Sequence, residues 1–330
     1  MLLFFQTELS NYGVALQPEY FGDAIIVNGK AWPYLKVQRR KYRFRIVNTG
    51  NARFYSFALS NGLHMTQIGS DSSYLPRPVN VKKLLLAPSE IADVIIDFAK
   101  SSTDEAILTN SAPYPYPSGS AVNNLNSKVM KFVIEKTKEP DTPIPASLVS
   151  YPLPNKNEIA QTRYITLYEY DSATGDPTHL FLNALPFLAP ATETPRQGTN
   201  ELWHIINLTP DNHPLHIHLG LFKTLTQIKL VNLTEFESCM NKTNNAVECN
   251  IEKHAQGRVI ATPGNERTWK NVFKMRPGYM TTIFLTFSLL EGHRPYPFNA
   301  SAEPGYLYHC HVSVLFHLNI YIECCAVLQF

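Results

Sequence analysis

The sequence predicts an all-β protein made of two antiparallel β-sandwich domains, and three observations predict it. Prolines number 24 against 15 glycines, and aromatics are 12% of the 330 residues, which suits strands and loops better than helices. Alternation of apolar and polar residues recurs along the chain. No long amphipathic helical pattern competes with it. The length fits about two ordinary domains, and 44% hydrophobic residues against 17% charged ones provide for real cores.

Each element follows in order. YRFRIV at 42–47 alternates, NTGN at 48–51 turns, and RFYSFAL at 53–59 returns. KKLLLAPSEIADVIIDF at 82–98 reads as two strands joined at Pro88-Ser89, and VMKFVIE at 129–135 closes the set. Then periodicity fails in a Pro-rich stretch. Residues 138–162 read as a linker between a domain at 1–137 and a second at 163–330. Strands resume at 163–170, 179–187, 201–208 and 270–287, and end with GYLYHCH at 305–311. No internal repeat of solenoid length is visible.

Charge excludes some partners. The 29 basic and 27 acidic residues leave a formal net charge of +2 with no basic cluster, so nucleic acid and anionic membranes are not expected partners. No apolar stretch approaches the ~20 residues of a transmembrane span. MLLFF at the N-terminus is short for a signal core and has no basic residue before it, so no export signal is visible. Cys239 and Cys249 bracket a short polar loop that a disulfide would close. Sequons begin at Asn207, Asn232, Asn241 and Asn299. Together with the cysteine pair they point to an oxidising compartment and a glycoprotein.

The histidines carry the chemistry. DNHPLHIHLG at 211–220 holds His213, His216 and His218, with Pro214 stiffening the turn. On a strand His216 and His218 share one face. His309 and His311 repeat that spacing around Cys310, whose thiol must face the other way. A single H-x-H commonly packs or faces solvent; two in this arrangement, with a thiolate opposite, suit a blue-copper site joined to a second copper site. His204 reads as an ordinary strand residue, and His64, His179, His254 and His293 have no metal-like neighbours.

At these residues the chain resembles the multicopper oxidases: HPLHIHLG and YLYHCH match the superfamily's third and fourth copper motifs. PEYFGDAIIVNGKAWP, YRFRIVN, LLLAPSEIADVIIDF and APYPYPSG look like the central domain of the plant low-phosphate-root type, which is similar to spore-coat laccase and bilirubin oxidase. The likeness runs from about residue 18 to 311. It implies cupredoxin-like Greek-key sandwiches. It also implies that His213 and Cys310 ligate a type 1 copper, His216 a type 2 copper, and His218, His309 and His311 a type 3 pair. One-electron oxidation of a small reductant would be coupled to reduction of O2 to water. Fe(II) is favoured over a phenol, in a phosphate or iron response of plant roots. Location in the endoplasmic reticulum or cell wall follows from the same resemblance. Asp211, two residues before His213, is the candidate to guide a cation, with Glu19 the weaker one. Ser120 stands where the subfamily often has a further acid.

The chain also departs from the pattern. The family's N-terminal domain, with two more H-x-H motifs, has no counterpart before residue 18. Half of the oxygen-reducing cluster's histidines are therefore expected to be missing. Where the family continues with a further histidine and then a methionine, this chain has Leu315 and Ile320. His317 falls two positions late, which in a short helical turn rotates a side chain by roughly 200°. The expected copper complement is thus an incomplete type 1 site with type 2 and type 3 half-sites. The tail at 312–330 is atypical. It opens with Val-Ser, which a plant intron's usual donor sequence encodes, so a retained intron or mistaken gene model is expected. Three readings compete: a copper oxidase truncated as presented and inactive alone, a non-catalytic cupredoxin-fold binding or assembly protein, and a simple blue-copper carrier. The altered ligand positions disfavour the third.

Overall fold

The computed structural model describes residues 21–137, 142–171, 177–186, 189–291, 294–301, 305–312, 314–316, 319–321 and 325–328. Strands dominate, arranged among the described residues as two pairs of larger sheets and two small two-stranded ones. In the first half a five-stranded sheet, which includes Tyr55–Leu59 and Lys128–Ile134, faces a four-stranded sheet of Lys41–Val47, Ile91–Asp97, Met65–Ser70 and Ser73–Val81. Phe57 and Phe132 from one sheet meet Met65, Val94 and Ile96 from the other in a single core. Burying side chains of this size contributes about 1.5–3 kcal/mol each.

The second half repeats the plan with a six-stranded and a four-stranded sheet. The larger one holds Ile159–Asp171, Asn200–Asn207, Leu221–Lys229 and Tyr279–Thr286. The smaller one has the order Val272–Met275, His213–Ile217, Tyr306–Cys310, Cys325–Leu328. Trp203 and Ile283 of the larger sheet pack with Leu215, Phe273 and Tyr308 of the smaller. The strand Ile159–Asp171 begins within the Pro-rich segment.

Local chemistry explains the breaks between strands. Ser89, after Pro88, adopts φ +66° and separates Leu84–Leu86 from Ile91–Asp97 as anticipated. Arg276-Pro277-Gly278 splits the segment 270–287, with Gly278 at φ +68°, a region open to glycine at little cost.

Three features differ from the sequence reading. Leu233–Thr243 forms an α-helix of 11 residues. It rests on the large sheet through Phe236 and Met240 alone among its fully buried side chains, too short an apolar stripe to stand out. Val314–Phe316 and Asn319–Tyr321 pair as antiparallel strands, with Leu315 opposite Ile320, where a short helical turn was expected. The segment is rich in β-branched and aromatic residues, which favour pairing. Asn207, read as a sequon, is fully buried and donates to the carbonyls of Asp211 and Met275, both at 2.8 Å. The Cys239–Cys249 disulfide is present, with Cα atoms 5.7 Å apart. Among the described residues no helix is long and apolar enough to cross a membrane.

Candidate metal centre

Strand alternation sorts the donor groups onto two faces of one sheet. His213–Ile217 pairs with Tyr306–Cys310 so that Leu215 lies opposite Cys310 and His216 opposite His309. Leu215, Ile217, Tyr308 and Cys310 point into the core. His213 has their parity and is also buried. His216, His218, His309 and His311 have the opposite parity and gather on the other face.

On the inner face the His213 Nδ1 lies 3.2 Å from the Cys310 Sγ. The His213 Nε2 is 2.7 Å from the Thr209 hydroxyl. That hydroxyl also contacts the Asp211 carbonyl at 3.2 Å. The Val312 backbone N–H donates to the Cys310 Sγ at 3.3 Å. Burial pushes the His213 imidazole down to about 4, so the ring is neutral at pH 7 and keeps a lone pair for a ligand.

The outer face is a knot of imidazoles. Ring centroids are 4.5 Å apart for His309 and His311, 5.2 Å for His216 and His311, and 4.7 Å for His216 and His218. One ligand atom from each of His216, His309 and His311 lies within 4.8 Å of the other two. The His218 and His309 Nε2 atoms are 3.1 Å apart. Backbone carbonyls set two of the rings: His216 Nδ1–H donates to the Asn271 oxygen at 2.8 Å, and His309 Nδ1–H to the Cys310 oxygen at 2.9 Å. Carbonyls only accept, so in both rings Nε2 carries the lone pair. Burial first, then the neighbouring rings, lowers His309 to about 3 and His311 to about 4. Burial also lowers His216 and His218. Neutral imidazoles, carbonyl-oriented and with Nε2 presented to one another, fit a copper or another borderline metal.

The structure brings together all six histidine and cysteine positions singled out from the sequence. Asp211 is half-buried, its backbone tied to Asn207 and Thr209, and its carboxyl is pushed up by burial. Ser120 is exposed on the loop whose Tyr116 carbonyl accepts the Asn212 N–H at 2.9 Å. Glu19, His293 and His317 lie outside the described residues. The bystander histidines stay apart. His204 stacks on Tyr164 at 5.0 Å, His254 donates to the Val231 carbonyl at 2.9 Å, and His64 and His179 are exposed. Sequence reading missed Thr209, the Asn271 carbonyl and Glu169. Burial, then the charges of Asp211 and Asp171, raises the Glu169 carboxyl to about 7. For Thr209 a signal existed: it follows Asn207 in a sequon whose asparagine heads a strand-end turn.

Two patterns of the multicopper oxidase family match the chain, at residues 8–130 and 161–320. The chain belongs to the multicopper oxidase family. Among curated members, multicopper oxidase LPR2 of Arabidopsis thaliana is 58% identical over 297 residues, covering 90% of this chain and 51% of the relative. Multicopper oxidase LPR1 of the same plant is 56% identical, and the laccase of Bacillus subtilis 34%, each across 90% of this chain. The chain thus spans about half the length of the curated relatives it matches. Among solved structures, an McoA multicopper oxidase variant from Aquifex aeolicus superposes with a TM-score of 0.69 at 24% identity, over 97% of this chain and 62% of that one. At that identity the likeness shows the fold: two cupredoxin-like Greek-key sandwiches. Members of this family bind copper and use a reducing substrate and O2.

Proposed function

We propose that this chain is a copper-bearing portion of an oxidase that takes single electrons from a small reductant, with Fe(II) favoured over phenols. The observation that carries the reading is the two-faced donor set on adjacent strands. His213 and Cys310 would hold one copper. His216, His218, His309 and His311 would supply part of a cluster, with His216 in the type 2 role and the other three in the type 3 role. Copper bound there supplies one-electron redox chemistry between the reductant and O2. The chain's own residues do the rest. The Thr209 hydroxyl accepts from Nε2–H and leaves His213 Nδ1 aimed at the Cys310 sulfur. Cys310 lies between His309 and His311, so the two donor sets share three consecutive residues. The core around Cys310 excludes water, which would otherwise promote oxidation of an exposed thiolate.

Fe(II) is favoured because Asp211, two residues before His213, and Glu169 are half-buried carboxyls whose charges interact, suited to a hard divalent cation. With one imidazole and one thiolate at the inner site and four imidazoles at the outer among the described residues, this chain alone binds copper without steady turnover. A second reading, a non-catalytic cupredoxin-fold binding or assembly protein, is favoured by the strand pairing at Leu315 and Ile320. The test is the copper-loaded protein in an oxygen electrode with Fe(II), corrected for autoxidation. Steady uptake abolished by Cys310→Ser would overturn inactivity of the isolated chain. A thiolate-to-copper absorption band weaker than that of an intact type 1 site, without uptake, is expected, and its absence favours the second reading.

The disulfide and the exposed Asn232, Asn241 and Asn299 support passage through the secretory pathway with glycans at those three asparagines. Asn207 is excluded by its burial. Deglycosylation of plant-expressed protein, read by intact mass, should release at most three glycans.

A further inference from the structure

The outer imidazole cluster lies next to residues 268–272, through the Asn271 carbonyl that accepts from His216, and the first sandwich packs on that segment. The strands Met65–Ser70 and Ser73–Val81 are joined by Asp71 and Ser72, with Asp71 at φ +24°, a conformation aspartate tolerates better than most residues. This tip meets residues 268–272 of the second sandwich almost atom for atom. Ser73 Oγ donates to the Trp269 carbonyl at 2.6 Å, and Thr268 Oγ1 donates to the Tyr74 carbonyl at 2.7 Å. Lys270 Nζ lies 2.7 Å from the Ser70 hydroxyl and 2.9 Å from Asp71 Oδ2. Asn271 Nδ2 donates to the Ser72 hydroxyl at 2.9 Å.

One residue ties these contacts to the metal face. Asp71 Oδ1 accepts the Ile91 N–H of its own sandwich at 3.0 Å. Its other oxygen, Oδ2, accepts from Lys270 and, at 3.4 Å, from the Val272 N–H. The Asn271–Val272 peptide is therefore held at its N–H end by Asp71, and its C=O end receives the His216 Nδ1–H at 2.8 Å beside the Ile217 backbone N–H at 3.0 Å. A carboxylate, a peptide and an imidazole stand in line, and both the Lys270 and Asp71 side chains are at most 2% exposed.

We infer that the Ser70–Asp71–Ser72 tip of the first sandwich is a positioning element for His216. It fixes the Asn271–Val272 peptide and so the Nδ1–H tautomer that turns Nε2 towards His309 and His311. A carboxylate behind the peptide polarises its carbonyl and strengthens the hold on the ring. The first sandwich, which carries none of the candidate ligands, thereby sets the affinity of the second sandwich's cluster. This rests on the metal reading of the cluster above, and the test separates the two.

The full chain in a Cys310→Ser background is labelled with 15N histidine and compared with its Asp71→Asn variant. Histidine 15N shifts report the His216 tautomer without metal, and Cu(II) titration reports the cluster's affinity. A Nε2–H population appearing at His216 and a drop in Cu(II) affinity of about 10–100-fold, with His204 unmoved, support the inference. Unchanged His216 shifts and affinity in a folded variant overturn it, because a merely structural role lowers the melting temperature and moves neither. If Asp71→Asn does not fold, Ser72→Ala and Asn271→Ala, which keep the Lys270–Asp71 pair, decide by the same two readouts. If no variant binds Cu(II), the metal reading fails and the tautomer alone decides the positioning role.

Discussion

The two faces of the strand pair His213–Ile217 and Tyr306–Cys310 hold different chemistry for one geometric reason. Side chains alternate, so a one-residue step moves a group from a dry core to a rim between sandwiches. The inner face embeds His213 and Cys310 among Leu215, Ile217, Tyr308 and Trp203. The outer face places four imidazoles against a seam closed by side-chain hydrogen bonds and buried ions. Residues of the inner face therefore serve the fold as well as the site. Those of the outer face serve the site, and their placement depends on the seam.

The largest expected effect comes from the seam. Lys274 bridges Glu90 of the first sandwich and Glu266 of its own. Lys274→Met leaves Glu266 without its cation and Glu90 with Lys270 alone, at 3.3 Å, and should cost about 3–5 kcal/mol, read by denaturant unfolding. The pH dependence has a definite sign. Burial would push the Glu90 carboxyl up, but Lys274 and Lys270 outweigh it and hold it below the ordinary 4.5. A depressed carboxylate contributes stability that is present above its unfolded value and lost as pH falls through the folded one. Lys274 is raised above its ordinary 10.5, chiefly by Glu266 and Glu90 against burial, so its contribution is lost as pH rises past that range. Thermal melts should show a plateau between these limits, and Glu90→Gln with Lys274→Met should flatten the acid limb.

The next contrast lies between the faces. Cys310→Ser places a hydroxyl in the core and should destabilise by about 1–3 kcal/mol. His218→Gln, at the half-buried rim, should stay within about 0.5 kcal/mol. Equal costs would break the comparison. Thr209→Val sharpens it on the inner side. The His213 Nε2–H loses its acceptor, for about 1–3 kcal/mol, and 15N shifts should show mixed tautomers at His213 with His216 unchanged.

These contrasts follow the division between what was readable and what was not. H-x-H, H-C-H and the apolar residues between them specify both faces by parity, while the convergence of the four imidazoles was expected from that alternation together with the family resemblance. The partners that set the rings could not. Asn271 and Asp71 are far from His216 in sequence, and one acts through a backbone carbonyl that carries no residue signal. Asn207 shows the opposite failure. Asn-x-Thr reads as a surface acceptor, but burial by Met275 and Asp211 makes it a turn anchor. The helix Leu233–Thr243 has too few apolar positions to declare itself. At Leu315 local β-propensity overrode the helical turn that the resemblance suggested.

A smaller effect concerns substrate. Asp211→Ala should slow anaerobic bleaching of the thiolate-to-copper band by Fe(II) roughly tenfold and leave bleaching by a phenol nearly unchanged. Equal slowing would remove the acidic pair from the account of specificity.

The most direct test of a two-faced metal centre is stepwise copper loading of the chain, followed by absorption and electron paramagnetic resonance on one sample. The account predicts two separable signals: a thiolate-to-copper band lost in Cys310→Ser, and a nitrogen-ligated copper signal that survives that substitution and disappears in His309→Gln. A single signal removed by either substitution alone would contradict it.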